Sequence, residues 1–371
     1  MKRILKMTLL IIVSVIGLAL VTGVLFINLS PQFGAKSEGE SAERIKKSPN
    51  YKDGKFHNME ETIVMKSMSY STIPDYFTNE GKMPDWSIPV EKITGGYFND
   101  HPDSLTRLTW FGHSAVLLEM DGQKIFLDPM LGEVPSPHPW LGSGRFNDTL
   151  PLSVDQLPHL DAVLISHDHY DHLDYGSIVA LKDKVDKFYV PLGIAAHLKL
   201  WGVDAAKITE LDWWQEAELK GIKLVSTPAR HFSGRGLFDR YSTLWCSWVV
   251  RGERSNIFFG GDSGYDSSFK QIGEKYGPFD FTMLECGQYN EQWPEIHMMP
   301  EETVQANIDL NGKVMMPIHW GAFKLALHPW EEPVERALKK ARELNVKVAT
   351  PIIGQAIVLD AEIPASEWWK K

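Results

Sequence analysis

From residue 105 onward the chain keeps returning to one pattern, a short apolar run that stops at a histidine or an aspartate. DAVLIS stops at His167, GIKLVSTPAR at His231, NIFFGG at Asp262 and KVMMPI at His319. Apolar runs of this length, bounded by Gly, Pro or Asp, read as buried strands. The stretches YGSIVALKDK, GIAAHLKLWG, PEETVQANIDL and PVERALKKARELN carry helical spacing between them, and VKVATPIIGQAIVLD reads as closing the sheet. Strands alternating with helices predict an α/β fold. LTRLTWFG, SAVLLEM and KIFLDP, the last two joined by Asp121-Gly122, predict an antiparallel beginning to the sheet. Strand ends in open sheets lie along one edge, so residues far apart in sequence can meet there.

The densest of these ends is LISHDHYDHLD, residues 164–174. Imidazole and carboxylate suit zinc, and also iron or manganese. His167 and His169 sit two apart where the strand enters a loop, and Asp171 and His172 follow as neighbours that point in different directions. Such a loop can offer one pair to one metal and the other pair to a second. His231 could then complete the first set, His319 the second, and Asp262 could bridge both. The plain alternatives are a solvated polar loop for HDHYDH, hydrogen-bonded core histidines for His231 and His319, and a turn aspartate for Asp262. Asp168 and Asp174 read as supports of the loop, and His113 as a structural residue beside a glycine turn. Two metals side by side generate a nucleophile near neutral pH and clamp the attacking and leaving oxygens of a displacement. Only two cysteines are present, Cys246 and Cys286, both in apolar runs. They read as buried thiols, not as a disulfide framework or a cysteine-rich zinc site.

The N-terminus makes a separate statement. Lys2, Arg3 and Lys6 precede MTLLIIVSVIGLALVTGVLFIN, residues 7–28, which contains no charge. A helix of that length spans a bilayer core of about 30 Å. Residues 1–30 therefore read as a single-pass anchor in the cell membrane, with cleavage near Ala35 as the alternative. The basic cluster ahead of it favours a catalytic domain outside the cytoplasm. Residues 31–60 are polar, lack periodicity and read as a tether. Residues 61–104 carry scattered aromatics and prolines and read as a segment wrapping the main domain, which occupies 105–371. A net charge of −10 argues against a nucleic-acid partner, which usually requires a basic face.

The stretches WFGHSAVLLEMDGQKIFLDP, ISHDHYDHLD, LWCSW, FFGGDSGY, GPFDF and PIHWGAF, taken together, resemble the metallo-β-lactamase superfamily. Its signature is HxHxDH followed by His, Asp and His at later strand ends. FFGGDSGY, GPFDF and IHWG are more specific. Over residues 105–355 they resemble the branch containing N-acylphosphatidylethanolamine-hydrolysing phospholipase D, which also holds sugar-phosphate lactonase relatives. The resemblance implies a four-layer αβ/βα sandwich with a dinuclear, ordinarily zinc, site along the sheet edges. It implies His167, His169 and His231 for one metal, Asp171, His172 and His319 for the other, and Asp262 between them. His297, in EQWPEIHMMPEE, matches a substrate-contacting histidine of the phospholipase, placed to hold phosphate or to help the leaving group.

The expected activity is therefore a membrane-anchored, metal-dependent phosphodiesterase. It would release phosphatidic acid and an N-acylethanolamine from N-acylated phosphatidylethanolamine or a similar phospholipid. A lactonase or carboxyl-ester hydrolase acting on a small substrate, perhaps phosphorylated, is the second expectation. A metal-dependent sensing module without turnover is the third, disfavoured by the intact set of seven ligands.

Overall fold

The computed structural model describes residues 2–66, 78–94, 96–98, 102 and 104–371. An isolated helix, Lys2–Leu29, opens the chain, with no residue buried against the rest. A small hairpin follows, β1 (Tyr51–Lys52) and β2 (Lys55–Phe56). The body is built from β3 (Arg107–Trp110), β4 (Val116–Met120), β5 (Gln123–Leu127), β6 (Leu160–Leu164), β7 (Val185–Pro191) and β8 (Ile208–Leu211). It continues with β9 (Glu216–Leu219), β10 (Ile222–Thr227), β11 (Ser247–Arg251), β12 (Asn256–Phe259), β13 (Phe281–Glu285), β14 (Val314–Ile318), β15 (Lys347–Val348) and β16 (Ala356–Val358).

These strands form two seven-stranded sheets, ordered β16-β3-β4-β5-β6-β7-β8 and β15-β14-β13-β12-β11-β10-β9. Each sheet has an antiparallel half and a parallel half. Pairing switches from antiparallel to parallel at β5 in one and at β12 in the other. The antiparallel half of the first sheet turns at Asp121-Gly122, where both residues have positive φ, 49° and 72°, as a tight two-residue hairpin requires.

Side-chain alternation sorts the sandwich into layers. Leu108, Trp110, Val116, Leu118, Ile125 and Leu164 of the first sheet share one buried cluster with Leu224, Trp248, Ile257, Phe259, Met283 and Ile318 of the second. The intervening residues face outward. Leu117, Phe126, Val163 and Phe188 pack with Ile178, Leu181 and Leu198 of the helices Tyr175–Leu181 and Ala195–Leu200. Val249, Phe258, Leu284 and Met315 pack with Ile272, Val304 and Ala337 of the helices Ser268–Tyr276, Pro300–Asp309 and Glu332–Leu344. Helix, sheet, sheet, helix is the αβ/βα sandwich expected from the sequence. Cys246 and Cys286 are buried free thiols within it.

Two expectations need correction. Residues 31–60, read as a free tether, are laid down on the domain. The helix Gly39–Lys47 sends the Ser41 hydroxyl to Glu210 (2.7 Å), Asn50 donates to Asp212 (2.9 Å), and Phe56 is buried with its N–H on the Tyr241 carbonyl (2.9 Å). Short polar contacts of this kind leave no periodic trace in a sequence. The closing stretch VKVATPIIGQAIVLD was read as finishing one sheet. Instead β15 pairs with β14 and β16 with β3, so it crosses from the edge of one sheet to the edge of the other. Of the 61–104 segment, residues 67–77, 95, 99–101 and 103 lie outside the described residues. Its described part buries Ile88 and Ile93 and bridges Val90 to Ile353.

Candidate metal centre

All the strand-end residues singled out above project from one rim of the sandwich. His167 follows β6, His231 follows β10, Asp262 follows β12 and His319 follows β14. The loop after β6 carries His169, Asp171 and His172. It is held in shape by Asp168, whose buried carboxylate accepts from the Gly234 N–H and the Thr243 hydroxyl, each at 2.8 Å. At the loop's end Asp174 accepts from the Ser177 N–H at 2.7 Å and caps the helix Tyr175–Leu181.

The side chains gather into two abutting sets. His167, His169, His231 and Asp262 offer ligand atoms all within 4.8 Å of one another, and so do His113, Asp171, His172 and His319. In the first set His169 Nδ1 lies 3.0 Å from His167 Nε2 and 3.2 Å from His231 Nε2. The Asp262 carboxylate faces both sets. Its Oδ2 lies 3.7 and 3.8 Å from the Nε2 atoms of His167 and His231, while its Oδ1 lies 3.1 Å from His172 Nε2 and 3.2 Å from His319 Nδ1.

Several of these imidazoles are tied down from behind. His172 donates through Nδ1 to Asp128 at 2.7 Å, and Asp128 also accepts from the Ser166 N–H and hydroxyl. His231 donates through Nδ1 to the Ile296 carbonyl at 2.9 Å, and its backbone N–H bonds to Asn58 at 3.0 Å. In His231 the proton is committed away from the cluster, so the lone pair of Nε2 points into it. Burial would lower His172, but the Asp262 and Asp171 carboxylates hold it well above the ordinary histidine value, so its Nε2 proton is the one a cation would displace. His113 donates to Asp171 at 2.8 Å from the β3–β4 turn. His113 and His319 both hold positive φ, 54° and 66°, and the His319 N–H bonds to the His113 carbonyl. Strained backbone at two neighbouring site histidines is sustained only where the surroundings over-determine it. Gly287 is part of that restraint, because a Cβ there would stand 1.7 Å from the His319 carbonyl oxygen.

The donor set fits divalent cations. Burial, and for some the neighbouring imidazoles, hold His167, His231 and His319 well below the ordinary histidine value. They are therefore neutral at pH 7, as a metal requires. Burial would raise the Asp262 carboxyl, but the facing imidazoles, His172 first, hold it well below the usual carboxylate range. Asp262 Oδ1 and His172 Nε2 are buried and have no hydrogen-bond partner. Held 3.1 Å apart, the two face each other across the centre, where a shared cation would satisfy both.

A second pair stands beside the cluster. His297 Nδ1 donates to Glu285 at 2.8 Å, and the other oxygen of Glu285 accepts from the Met298 N–H at 2.7 Å. The His297 ring lies nearly parallel to His319, with centroids 5.3 Å apart, and shares a ligand-distance group with Asp262 and His319. Burial pushes the Glu285 carboxyl up to about 7 against the pull of His297. The cluster floors a cleft of about 340 Å³ with an apolar wall of Val64, Met65, Phe232, Trp293, Ile296 and Leu325. Arg240 stands in that wall with its guanidinium 4.6 Å from the Phe232 ring and no carboxylate partner among the described residues.

Asp128, Glu285 and Arg240 were not singled out in the sequence. Asp128 and Glu285 also lie at strand ends, after KIFL and FTML, but neither is marked by a clean stop of the apolar run. His113, read as structural, reaches the cluster through Asp171. Replacing Asp128 by asparagine is expected to weaken metal affinity about 10- to 100-fold while leaving the ligands in place. Competition with a fluorescent chelator measures this, and unchanged affinity would show that Asp128 does not orient His172.

Residues 123–320 match a family model described as the beta-lactamase superfamily domain. The chain is 42% identical over 333 residues, 87% of its length, to an uncharacterized protein of Mycobacterium tuberculosis, 88% of which is covered. It is 34% identical over 276 residues to the N-acyl-phosphatidylethanolamine-hydrolyzing phospholipase D 1 of Caenorhabditis elegans, covering 71% of this chain and 75% of that one. Among solved structures, a metallo hydrolase from the archaeon Ignicoccus hospitalis superposes with a TM-score of 0.51 at 22% identity, over 70% of this chain and all of that one. With this sandwich and the metal-ready cluster on its rim, the chain belongs to the beta-lactamase superfamily, as a metal-dependent hydrolase of the metallo-β-lactamase fold.

Proposed function

We propose that this hydrolase is a membrane-anchored phosphodiesterase that cleaves N-acylphosphatidylethanolamine-type phospholipids to phosphatidic acid and N-acylethanolamine, using two zinc ions. The observation that carries the reading is the pairing of floor and wall. Two abutting His/Asp sets lie under a cleft whose wall is apolar on several sides and carries one arginine, Arg240, without a carboxylate partner among the described residues. A small polar lactone needs no such wall, whereas acyl chains do. The naming of the Caenorhabditis relative as a phospholipase D of this specificity supports the same substrate class. The helix Lys2–Leu29, 28 residues whose most apolar 18-residue stretch has a mean hydropathy of 2.9, is long and apolar enough to cross a membrane and would keep the site at the substrate's surface.

His167, His169 and His231 would hold one cation and Asp171, His172 and His319 the other, with one Asp262 oxygen turned to each. Bound there, the cations supply Lewis-acid charge against phosphoryl oxygens and lower the pKa of water toward neutrality. Arg240 meets the phosphate from the wall, and its stacking on Phe232 limits the freedom it would otherwise lose on binding. Glu285 accepts the hydrogen bond from His297 Nδ1–H, so Nε2 is the atom left to face substrate. That atom holds the phosphate or passes a proton to the departing ethanolamine oxygen.

The full chain in mixed micelles, assayed on N-acylphosphatidylethanolamine, on bis-p-nitrophenyl phosphate and on a lactone panel, tests the reading. Release of N-acylethanolamine that disappears on chelation and returns with zinc is the expected result. Turnover of lactones alone would keep the metal centre and overturn the substrate.

A further inference from the structure

The end of the N-terminal helix is fastened to the domain at several points. The Trp201 indole donates to the Pro31 carbonyl (2.7 Å), Arg235 Nε donates to the Gln32 carbonyl (2.9 Å), and the Ala35 N–H donates to His197 (2.9 Å). Phe26, in the helix's last turn, packs on His138 with ring centroids 4.8 Å apart, and His138 stacks on Trp140 at 5.7 Å. Arg235 is buried and also donates to the carbonyls of Asp168 and Leu173, at 2.6 and 2.8 Å, at the two ends of the metal loop. A bilayer crossed by this helix therefore has its surface at a fixed height on the domain, close to Arg235.

The residues just beyond Arg235 are unusual for a surface turn. Leu237 is 71% exposed, Phe238 is 98% exposed, and Trp140 beside the helix root is 70% exposed. The turn is not a loose one. The Asp239 carboxylate accepts the N–H groups of Arg235 and Gly236, and its carbonyl accepts the Ser242 N–H, which holds the two apolar side chains out on a built tip. Large side chains displayed by an ordered turn, next to the exit of an apolar span, have the arrangement of an interfacial anchor. The far end of the same turn is Arg240, already in the wall of the catalytic cleft.

We propose that the turn Gly236–Arg240, with Trp140, is a bilayer-docking face that seats the mouth of the cleft on phospholipid. Leu237 and Phe238 enter the acyl region, Trp140 lies at headgroup level, where tryptophan concentrates, and Arg240 meets lipid phosphate at the cleft's edge. Substrate then passes from the leaflet into the site without crossing water. The proposal rests on reading Lys2–Leu29 as a membrane span.

Single cysteines placed by Phe238→Cys, Leu18→Cys and Glu343→Cys, each labelled with an environment-sensitive fluorophore, test it in the full chain reconstituted into phosphatidylcholine vesicles. Cys246 and Cys286 are buried and escape labelling in the folded protein. Glu343 is exposed on the helix layer over the second sheet and serves as the aqueous reference. A lipid carrying a nitroxide high on its acyl chain is the quencher. The expected result is blue-shifted emission and strong quenching at positions 238 and 18, with neither at 343. Quenching at 18 but water-like emission at 238 would overturn the docking face and leave the span standing. A blue shift at 238 without lipid quenching would mean that protein covers the face, a second copy of the chain being the candidate, and would also overturn it. No quenching at 18 would remove the span and the proposal with it.

Discussion

Asp262→Ala is expected to strip the protein of metal and turnover together. Among the described residues no other carboxylate presents one oxygen to each ligand set, as Asp262 does with Oδ2 toward His167 and His231 and Oδ1 toward His172 and His319. Without it, the first set is left with no carboxylate and the second with Asp171 alone, and positive ions would have to share a buried space with less negative charge between them. That is unfavourable in a low-dielectric interior, where unscreened like charges repel strongly. Metal charge on a phosphoryl group stabilises the transition state by several kcal/mol, so a fall in kcat of about 10³-fold or more is expected. Elemental analysis of the purified variant should find clearly fewer divalent ions per chain than the parent binds. The alanine removes no apolar packing, so the far-ultraviolet spectrum should be retained, which separates loss of the centre from loss of the fold. A variant that kept both ions and near-parental turnover would take Asp262 out of the bridging role.

The rim of the sandwich was legible in the sequence because a strand's end is marked twice, by the stop of the apolar run and by the polar residue that follows. His167, His231, Asp262 and His319 stood out for that reason, and the structure brings them together. Glu285 escaped because it is followed at once by buried Cys286, so the run FTMLEC reads through it. Asp128 escaped because Pro129 makes it look like an ordinary turn residue. The layers were legible from alternation, but not which sheet receives which edge: β15 and β16 lie seven residues apart in the chain and at the edges of different sheets. The N-terminal contribution was hidden most completely. Asn58 bonds both the N–H and the carbonyl of His231, and Val64 and Met65 line the cleft. All three come from stretches with no periodicity, and contacts across more than 160 residues have no local signature.

His297 separates chemistry from metal binding, and its replacement has the second large expected effect. The ring is held through Nδ1 by Glu285, which is itself fixed by the Met298 N–H, so Nε2 has a defined direction beside Asp262 and His319. A positioned proton donor or acceptor contributes about 10²- to 10⁴-fold. His297→Ala is therefore expected to lower kcat by that order while leaving metal content at the parental value, the opposite split from Asp262→Ala. Glu285→Gln keeps the shape of the support but replaces a titratable carboxyl by a permanently neutral amide. It should produce a smaller loss of kcat with little change in KM, since the ring remains present but is less firmly directed. If His297 only contacts substrate in its ground state, the alanine variant will instead raise KM with kcat unchanged, because uniform binding is lost without transition-state stabilisation. The two kinetic parameters, read beside the metal content of the same preparation, assign His297 to the reaction or to the pocket.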